Sequence, residues 1–331
     1  MLDTFFATLN PMLTLFICIA VGFIMRKANL LPENSGKVMA KMETWIFCPA
    51  LSFSTMARYC TVDSLDTHAA NILLSSCGVA LAIGIAIPLA CIFIKKRCPD
   101  RGVYMYALAF ANSGYIGDPV VLALFGEKVL SYYKLYCLPI SIMIYTWGIS
   151  VMLPSGENSK ADAIKKIFNA PTIAMFIGMA VGLLGFGPSI PTPVSSALDT
   201  LKSCMGPVAM LLAGFTIANY SFVGMIKNRK VYLASALRLV AIPSVIIGFL
   251  FAIKTLANIV FSLDIDNSVL YLTFFATAAP LGLNTVVFPE AYGGNPETGA
   301  SMAMISHTLC VLSIPLMYAL MTIVFGTPTF F

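Results

Sequence analysis

Ten stretches of predominantly apolar residues follow one another along the chain, at roughly 4–25, 38–57, 68–94, 103–125, 132–153, 168–187, 194–220, 231–253, 268–290 and 298–325. Each is about as long as a helix must be to cross a bilayer, about 20 residues. Together they use most of the 331 positions, which leaves no room for a soluble domain. Any function therefore sits inside the bundle or on its short loops. Composition agrees, with 59% apolar residues, 11% charged residues and a mean hydropathy of +0.87. Soluble chains run roughly 45–50% apolar and about 25% charged, and disordered ones are polar and poor in aromatics. Twenty basic and fifteen acidic side chains cannot coat a water-soluble body of this size. The chain reads as an all-α integral membrane protein.

The basic residues orient the spans. Arg26, Lys27, Lys37, Lys41, Lys95, Lys96, Arg97, Arg101, Lys160, Lys165, Lys166, Lys227, Arg229 and Lys230 fall on one face, and Arg58, Lys128, Lys134, Lys202 and Lys254 on the other. Fourteen against five makes the first face cytoplasmic by the positive-inside rule. Both termini are then extracytoplasmic, in the plasma (inner) membrane. The basic loops meet anionic lipid of the bilayer rather than nucleic acid. Of nine cysteines, seven fall within spans, none forms a CxxC, and none has a histidine at metal-ligand spacing. They read as small packing residues, with no metal and no cofactor expected. Asp3 stands where a signal peptide would be basic, and the apolar run passes Val21 without an A-x-A site. The first span is therefore expected to stay in the protein.

The chain repeats itself. Pro11 to Ile24 (PMLTLFICIAVGFI) and Pro171 to Leu184 (PTIAMFIGMAVGLL) share six of fourteen residues at an offset of 160. At an offset of 165, Tyr106, Phe110, Ala111, Gly117 and Val121 meet Tyr271, Phe275, Ala276, Gly282 and Val286. Pro49, Pro88 and Pro139 correspond to Pro207, Pro243 and Pro315. Two halves follow, 1–153 and 154–331, joined by a polar linker from Pro154 to Ile167. Five spans per half, an odd number, invert the second half relative to the first, the arrangement suited to alternating access.

Spans 4 and 9 are interrupted near their middles. One contains Asn112-Ser-Gly-Tyr-Ile-Gly-Asp-Pro119 and the other Thr277-Ala-Ala-Pro-Leu-Gly-Leu-Asn-Thr285. Proline has no N–H and clashes with the preceding turn, and glycine accepts non-helical angles. Unwound backbone at membrane depth cannot face lipid, so the two segments must face each other or a wet cavity. The half-helix N-termini placed there favour an anion. Asn112, Ser113, Thr277, Asn284 and Thr285 offer amide and hydroxyl contacts to it.

In these motifs the chain resembles the auxin efflux carrier family, which includes plant PIN carriers and bacterial malate and malonate permeases. The residues that carry the resemblance are Cys48-Pro-Ala-Leu-Ser-Phe53, Ala111-Asn-Ser-Gly-Tyr-Ile-Gly-Asp-Pro119 with Phe125-Gly-Glu127, Ala279-Pro-Leu-Gly282 with Glu290-Ala-Tyr292, and Pro315. The resemblance implies ten transmembrane helices in two inverted five-helix repeats. Spans 1, 2, 6 and 7 would form a scaffold, possessing the contacts of a homodimer. Spans 3–5 and 8–10 would form a transport unit that moves elevator-fashion around the crossing of helices 4 and 9. Asn112 matches the asparagine that contacts the substrate carboxylate, Pro119 and Pro280 the crossover prolines, Ser52 a scaffold serine beside the substrate, and Cys48 a neighbouring small position. The substrate-binding set is then Asn112, Ser113, Gly114, Pro119, Pro280, Gly282, Asn284, Ser52 and Cys48. Two departures stand out. Span 3, Asn71 to Ile94, lacks the carboxylate and lysine pair that plant members use beside the site, and the linker lacks their long cytoplasmic loop.

Ionisable residues deep within spans, where a charge costs several kcal/mol unless paired or wetted, include Asp118, Arg238 and His307. Asp118 either binds H⁺ or Na⁺, repels excess negative charge on the substrate, or caps the second half-helix. Arg238 either counters a dianionic substrate, pairs with Asp118, or snorkels to the interface. His307 either relays protons or bonds a backbone carbonyl. His68 opens span 3 at the outer surface with no specific role, and Trp45 and Trp147 read as interfacial anchors or packing. The absence of HExxH, GxSxG and GxxxxGK[ST] leaves little for an intramembrane enzyme or an ATP-driven pump. The expected function is secondary transport of a small organic anion, a malate-like or auxin-like mono- or dicarboxylate. The alternatives are an H⁺- or Na⁺-coupled symporter like the bile-acid transporters, and a channel or receptor.

Overall fold

The computed structural model describes residues 2–62, 65–94, 100–152, 170–219, 228–262, 265–285 and 296–328. The linker from Pro154 to Ile167, the Glu290-Ala-Tyr292 motif and the basic residues at 95–97 lie outside the described residues, as does the side chain of His68. Regular structure among the described residues is helical. In chain order the α-helices are α1 (Leu2–Lys27), α2 (Ser35–Met42), α3 (Cys48–Tyr59), α4 (Leu65–Phe93), α5 (Asp100–Ala109), α6 (Asp118–Met143) and α7 (Ile149–Met152). They continue as α8 (Ala170–Leu183), α9 (Thr192–Ala218), α10 (Arg229–Ala236), α11 (Ile242–Phe261), α12 (Asn267–Ala278) and α13 (Pro296–Phe325).

Four segments among the described residues are long and apolar enough to cross a membrane: Ile72–Ile92, Thr192–Ala218, Arg229–Val260 and Glu297–Phe325. Large apolar side chains point outward along them, including Leu73, Ile92, Ile259, Leu316 and Ile323. Water would penalise such a surface, and lipid does not. The fold is that of an all-helical membrane protein.

Three of the helices are widened just ahead of a proline. The π turns Glu43–Phe47, Ser113–Gly117 and Leu237–Ala241 close with i to i−5 bonds from Cys48, Asp118 and Ile242, and Pro49, Pro119 and Pro243 come next. A proline ring collides with the carbonyl four residues back and supplies no donor to it. The wider turn relieves that collision without ending the helix. Two of these turns carry a fully buried charged residue, Glu43 and Arg238.

Glycines set how closely the helices approach. α1 packs on α9, and α3 on α8. A Cβ on Gly22 would overlap the Leu211 carbonyl, and one on Gly214 the Ile19 carbonyl. Gly178 and Gly182 of α8 lie equally close to the backbone of Phe53, Met56 and Cys60. Small residues replace the hydrophobic drive that lipid cannot supply between helices. Gly214→Ala should therefore cost about 1–3 kcal/mol through overpacking. Gly84→Ala in α4, where an added methyl meets nothing within 4 Å, should be neutral or stabilising. Thermal unfolding of the detergent-solubilised variants should lower the midpoint for the first and not for the second.

Candidate functional site

The two interrupted helices meet. α5 ends at Ala109 and the chain resumes helical form at Ser113, while α12 ends at Ala278. Between them Ala111 and Leu281 form an antiparallel bridge, and the Asn112 N–H donates to the Pro280 carbonyl at 2.7 Å. In an unbroken helix that N–H would belong to the Leu108 carbonyl four residues back. The carbonyl so released accepts instead from Arg238 Nη1 at 3.0 Å. Across the break in the other segment, the Leu281 N–H donates to Ser306 Oγ at 3.3 Å. The breaks are thus closed by partners elsewhere in the fold, as buried polar backbone requires. Arg238, expected as a counter-charge, a partner of Asp118 or a snorkelling residue, is instead buried on this carbonyl.

Asn112 begins the second half of the broken helix. It is 4% exposed, and its Oδ1 accepts the Tyr115 N–H at 3.3 Å, capping the π turn Ser113–Gly117. Its Nδ2 lies 3.2 Å from His307 Nε2, and His307 Nδ1 lies 2.6 Å from the Ala303 carbonyl. A carbonyl only accepts, so the proton sits on Nδ1, and Nε2 is left to accept from the Asn112 amide. The amide is fixed in orientation and keeps one N–H free of His307. His307 does bond a backbone carbonyl, and in doing so it aims Asn112.

Asp118, one of whose expected roles was to cap this half-helix, leaves the cap to Asn112 and pairs with Lys134. Both belong to α6, which folds back on itself at Gly126 (φ 80°, ψ −178°) and so brings residues sixteen apart level. The same fold-back carries the Tyr133 hydroxyl to the Ser113 carbonyl at 3.2 Å. Lys134, counted from sequence among the outer loop cations, is therefore half-buried at the site.

These groups surround a cavity of about 200 Å³, below the roughly 300–1,000 Å³ typical of pockets for drug-sized ligands. Asn112, Ser113, Gly114, Gly282, Asn284, Ser52, Cys48 and Asp118 all line it. Pro119 and Pro280 stand outside its lining and act by shaping the backbone. Arg238 and His307 are not part of its lining, and His307 stands behind Asn112. Asn284 donates its amide to the Tyr106 hydroxyl at 3.0 Å, which holds this part of the second segment in place.

Thr44, Lys134, Cys137, Ser141 and Thr172 also reach the cavity and were not singled out in the sequence. For Lys134 a signal existed. A lysine inside an apolar stretch and an aspartate at a neighbouring break are opposite charges at membrane depth, and such charges pair. On another side of α6, Glu127 joins Arg58 (3.0 Å) and Lys202 (2.6 Å), while Asp199 joins the same two cations at 3.7 and 2.6 Å. Among the described residues no cluster of His, Cys, Asp and Glu has the makings of a metal site.

A family model described as membrane transport protein matches residues 7–318. An uncharacterized transporter of Methanothermobacter thermautotrophicus is 22% identical over 248 residues, covering 74% of this chain and 78% of its own. The uncharacterized transporter MJ1031 of Methanocaldococcus jannaschii is 22% identical over 329 residues, covering 93% of this chain and 97% of its own.

The ion pair beside the cavity makes a prediction about stability. Asp118→Asn or Lys134→Met alone leaves one uncompensated buried charge, at a cost of about 3–5 kcal/mol. The double variant removes both charges and should unfold closer to the wild-type temperature than either single variant. Additive destabilisation in thermal unfolding would count against the pairing.

Proposed function

The chain belongs to the auxin efflux carrier family of membrane transport proteins, and on that premise we propose that it is a secondary carrier of a small organic anion, a mono- or dicarboxylate. The observation that carries this reading is the crossing. Two interrupted helices joined by the bond from Asn112 to Pro280 present an oriented amide and the start of a half-helix to a small cavity. Unpaired N–H groups and the positive end of a helix dipole suit a carboxylate. Lys134, held in place by Asp118, offers ammonium N–H donors at the same wall.

In this reading ten spans form two inverted halves, 1–153 and 154–331. Support for a scaffold of spans 1, 2, 6 and 7 comes from the close glycine-lined contacts of α1 with α9 and α3 with α8. Spans 3–5 and 8–10 carry the crossing and move against it, in a protein that pairs as a homodimer. With the basic face cytoplasmic, a lining that includes Ser141, Pro171 and Thr172 supports a cavity toward the cytoplasmic half of the bundle. The ion pairs of Arg58, Glu127, Asp199 and Lys202 would then tie scaffold to transport unit on the outer side, which supports reading this as an inward-facing state.

Charge movement in proteoliposomes on a sensor surface tests the proposal, with rapid jumps of malate, malonate and indole-3-acetate. A hydrogen bond to a charged group contributes about 1.5–3 kcal/mol. Asn112→Ala should therefore reduce apparent affinity about tenfold or more, and Ser113→Ala less. Equal responses from wild type and Asn112→Ala across concentrations would contradict the site.

A further inference from the structure

Two carboxylates are fully buried among the described residues, Asp118 and Glu43. Asp118 has Lys134. Glu43, the first residue of the π turn ahead of Pro49, has no ion-pair partner among the described residues. Its Oε2 accepts only a long bond from the Cys48 thiol, at 3.6 Å. Its Oε1 is covered and has no hydrogen-bond partner among the described residues. Cys48 and Thr44 line the cavity, so Glu43 stands directly behind the wall that faces the site.

The surroundings offer little to hold a negative charge there. The π turn packs against α2, α3, α8 and α9. Lys37 and Lys41 of α2 are exposed, and α8 has no ionisable side chain. In α9, Lys202 and Asp199 pair with each other and with Arg58 and Glu127 across the outer network, and Cys204 bonds the Thr200 carbonyl. Cys48 of α3 is the thiol already named. Lys134 of α6 is the cation whose field reaches Glu43, and it is committed to Asp118. An unpaired carboxylate in a low dielectric is costly, and a bound proton removes the cost.

Charge balance ties this group to the cavity. The Asp118–Lys134 pair is neutral, so an ionised Glu43 puts a net negative charge behind the wall just where an anion has to sit. We propose that Glu43 is a proton-binding site coupled to carboxylate binding in the cavity, so that one proton joins the Glu43 carboxylate as one anionic charge enters. The inference rests on the carrier reading above. Linkage is reciprocal: the anion favours the proton on Glu43, and the proton favours the anion. Anion affinity therefore rises as pH falls through the range in which Glu43 takes up its proton.

Infrared spectroscopy of the purified protein tests the proton site without any substrate. The expected result is a carbonyl band of a protonated carboxylic acid that titrates with pH, shifts on labelling with carbon-13 glutamate, and is lost in Glu43→Gln. The label identifies the band as a glutamate's, and Glu43→Asp, which keeps a carboxylic acid but takes it out of the labelled set, assigns it to position 43 even if Glu43→Gln folds poorly. Absence of a glutamate band overturns the proposal. Malonate, malate and indole-3-acetate are then each added, with binding followed by thermal shift in the same buffers. An anion that binds should strengthen the band, and its affinity for wild type should rise about 5–150-fold from high to low pH. In Glu43→Gln, which is uncharged throughout, only the ligand's own ionisation should remain. A glutamate band indifferent to an anion that does bind overturns the coupling. Failure of all three anions to bind overturns the carrier reading, and the coupling with it, while the infrared titration still decides whether Glu43 binds a proton.

Discussion

The bond from the Asn112 N–H to the Pro280 carbonyl exists because two helices are broken where neither water nor lipid can complete their backbone. Each break releases carbonyls and amides that cost several kcal/mol if left bare in hydrocarbon. Crossing the two breaks lets one segment satisfy the other, and the remaining groups recruit partners from further away. Arg238 takes the Leu108 carbonyl, Ser306 takes the Leu281 amide, and Tyr133 donates to the Ser113 carbonyl. The crossing is therefore held by bonds reaching into α6, α13 and the π turn Leu237–Ala241. What it leaves over for a ligand is small and oriented: an asparagine amide aimed by His307 and the start of a half-helix.

Buried charge follows the same rule. Arg238 answers a helix end, and Lys134 answers Asp118 across the fold-back at Gly126. Glu43 is answered by a thiol alone. Among the described residues, a fold this careful with its backbone leaves one buried carboxylate without a cation, and a proton is a partner that can come and go. Cavity, ion pair and carboxylate lie within one cluster, so the charge carried by the occupant acts on all three.

Much of this was legible in the sequence because its causes are local. Apolar length marks membrane helices, and glycine, proline and amide residues in the middle of a span mark the breaks at Asn112–Pro119 and Thr277–Thr285. The cavity gathers Ser52, Cys48, Asn112, Ser113, Gly114, Gly282 and Asn284, seven of the nine residues read from those motifs, and leaves Pro119 and Pro280 outside its lining. What escaped depended on how distant segments meet. Lys134 looked like a loop cation until α6 doubled back. Arg238 was given the wrong candidate partners, because the Leu108 carbonyl is freed only when Asn112 turns to Pro280. Glu43, near the start of an apolar stretch, drew no reading from the sequence, because its burial depends on α8 and α9 packing against its turn.

The most direct test is a structure of the protein in lipid nanodiscs with a heavy-atom-labelled carboxylate at saturating concentration. The account predicts the carboxylate at the crossing, within hydrogen-bonding distance of the Asn112 amide and the backbone at Ser113 and Gly114. An ordered ligand bound away from the crossing, with Asn112 still turned to His307 and Tyr115 and its remaining N–H unengaged, would contradict it.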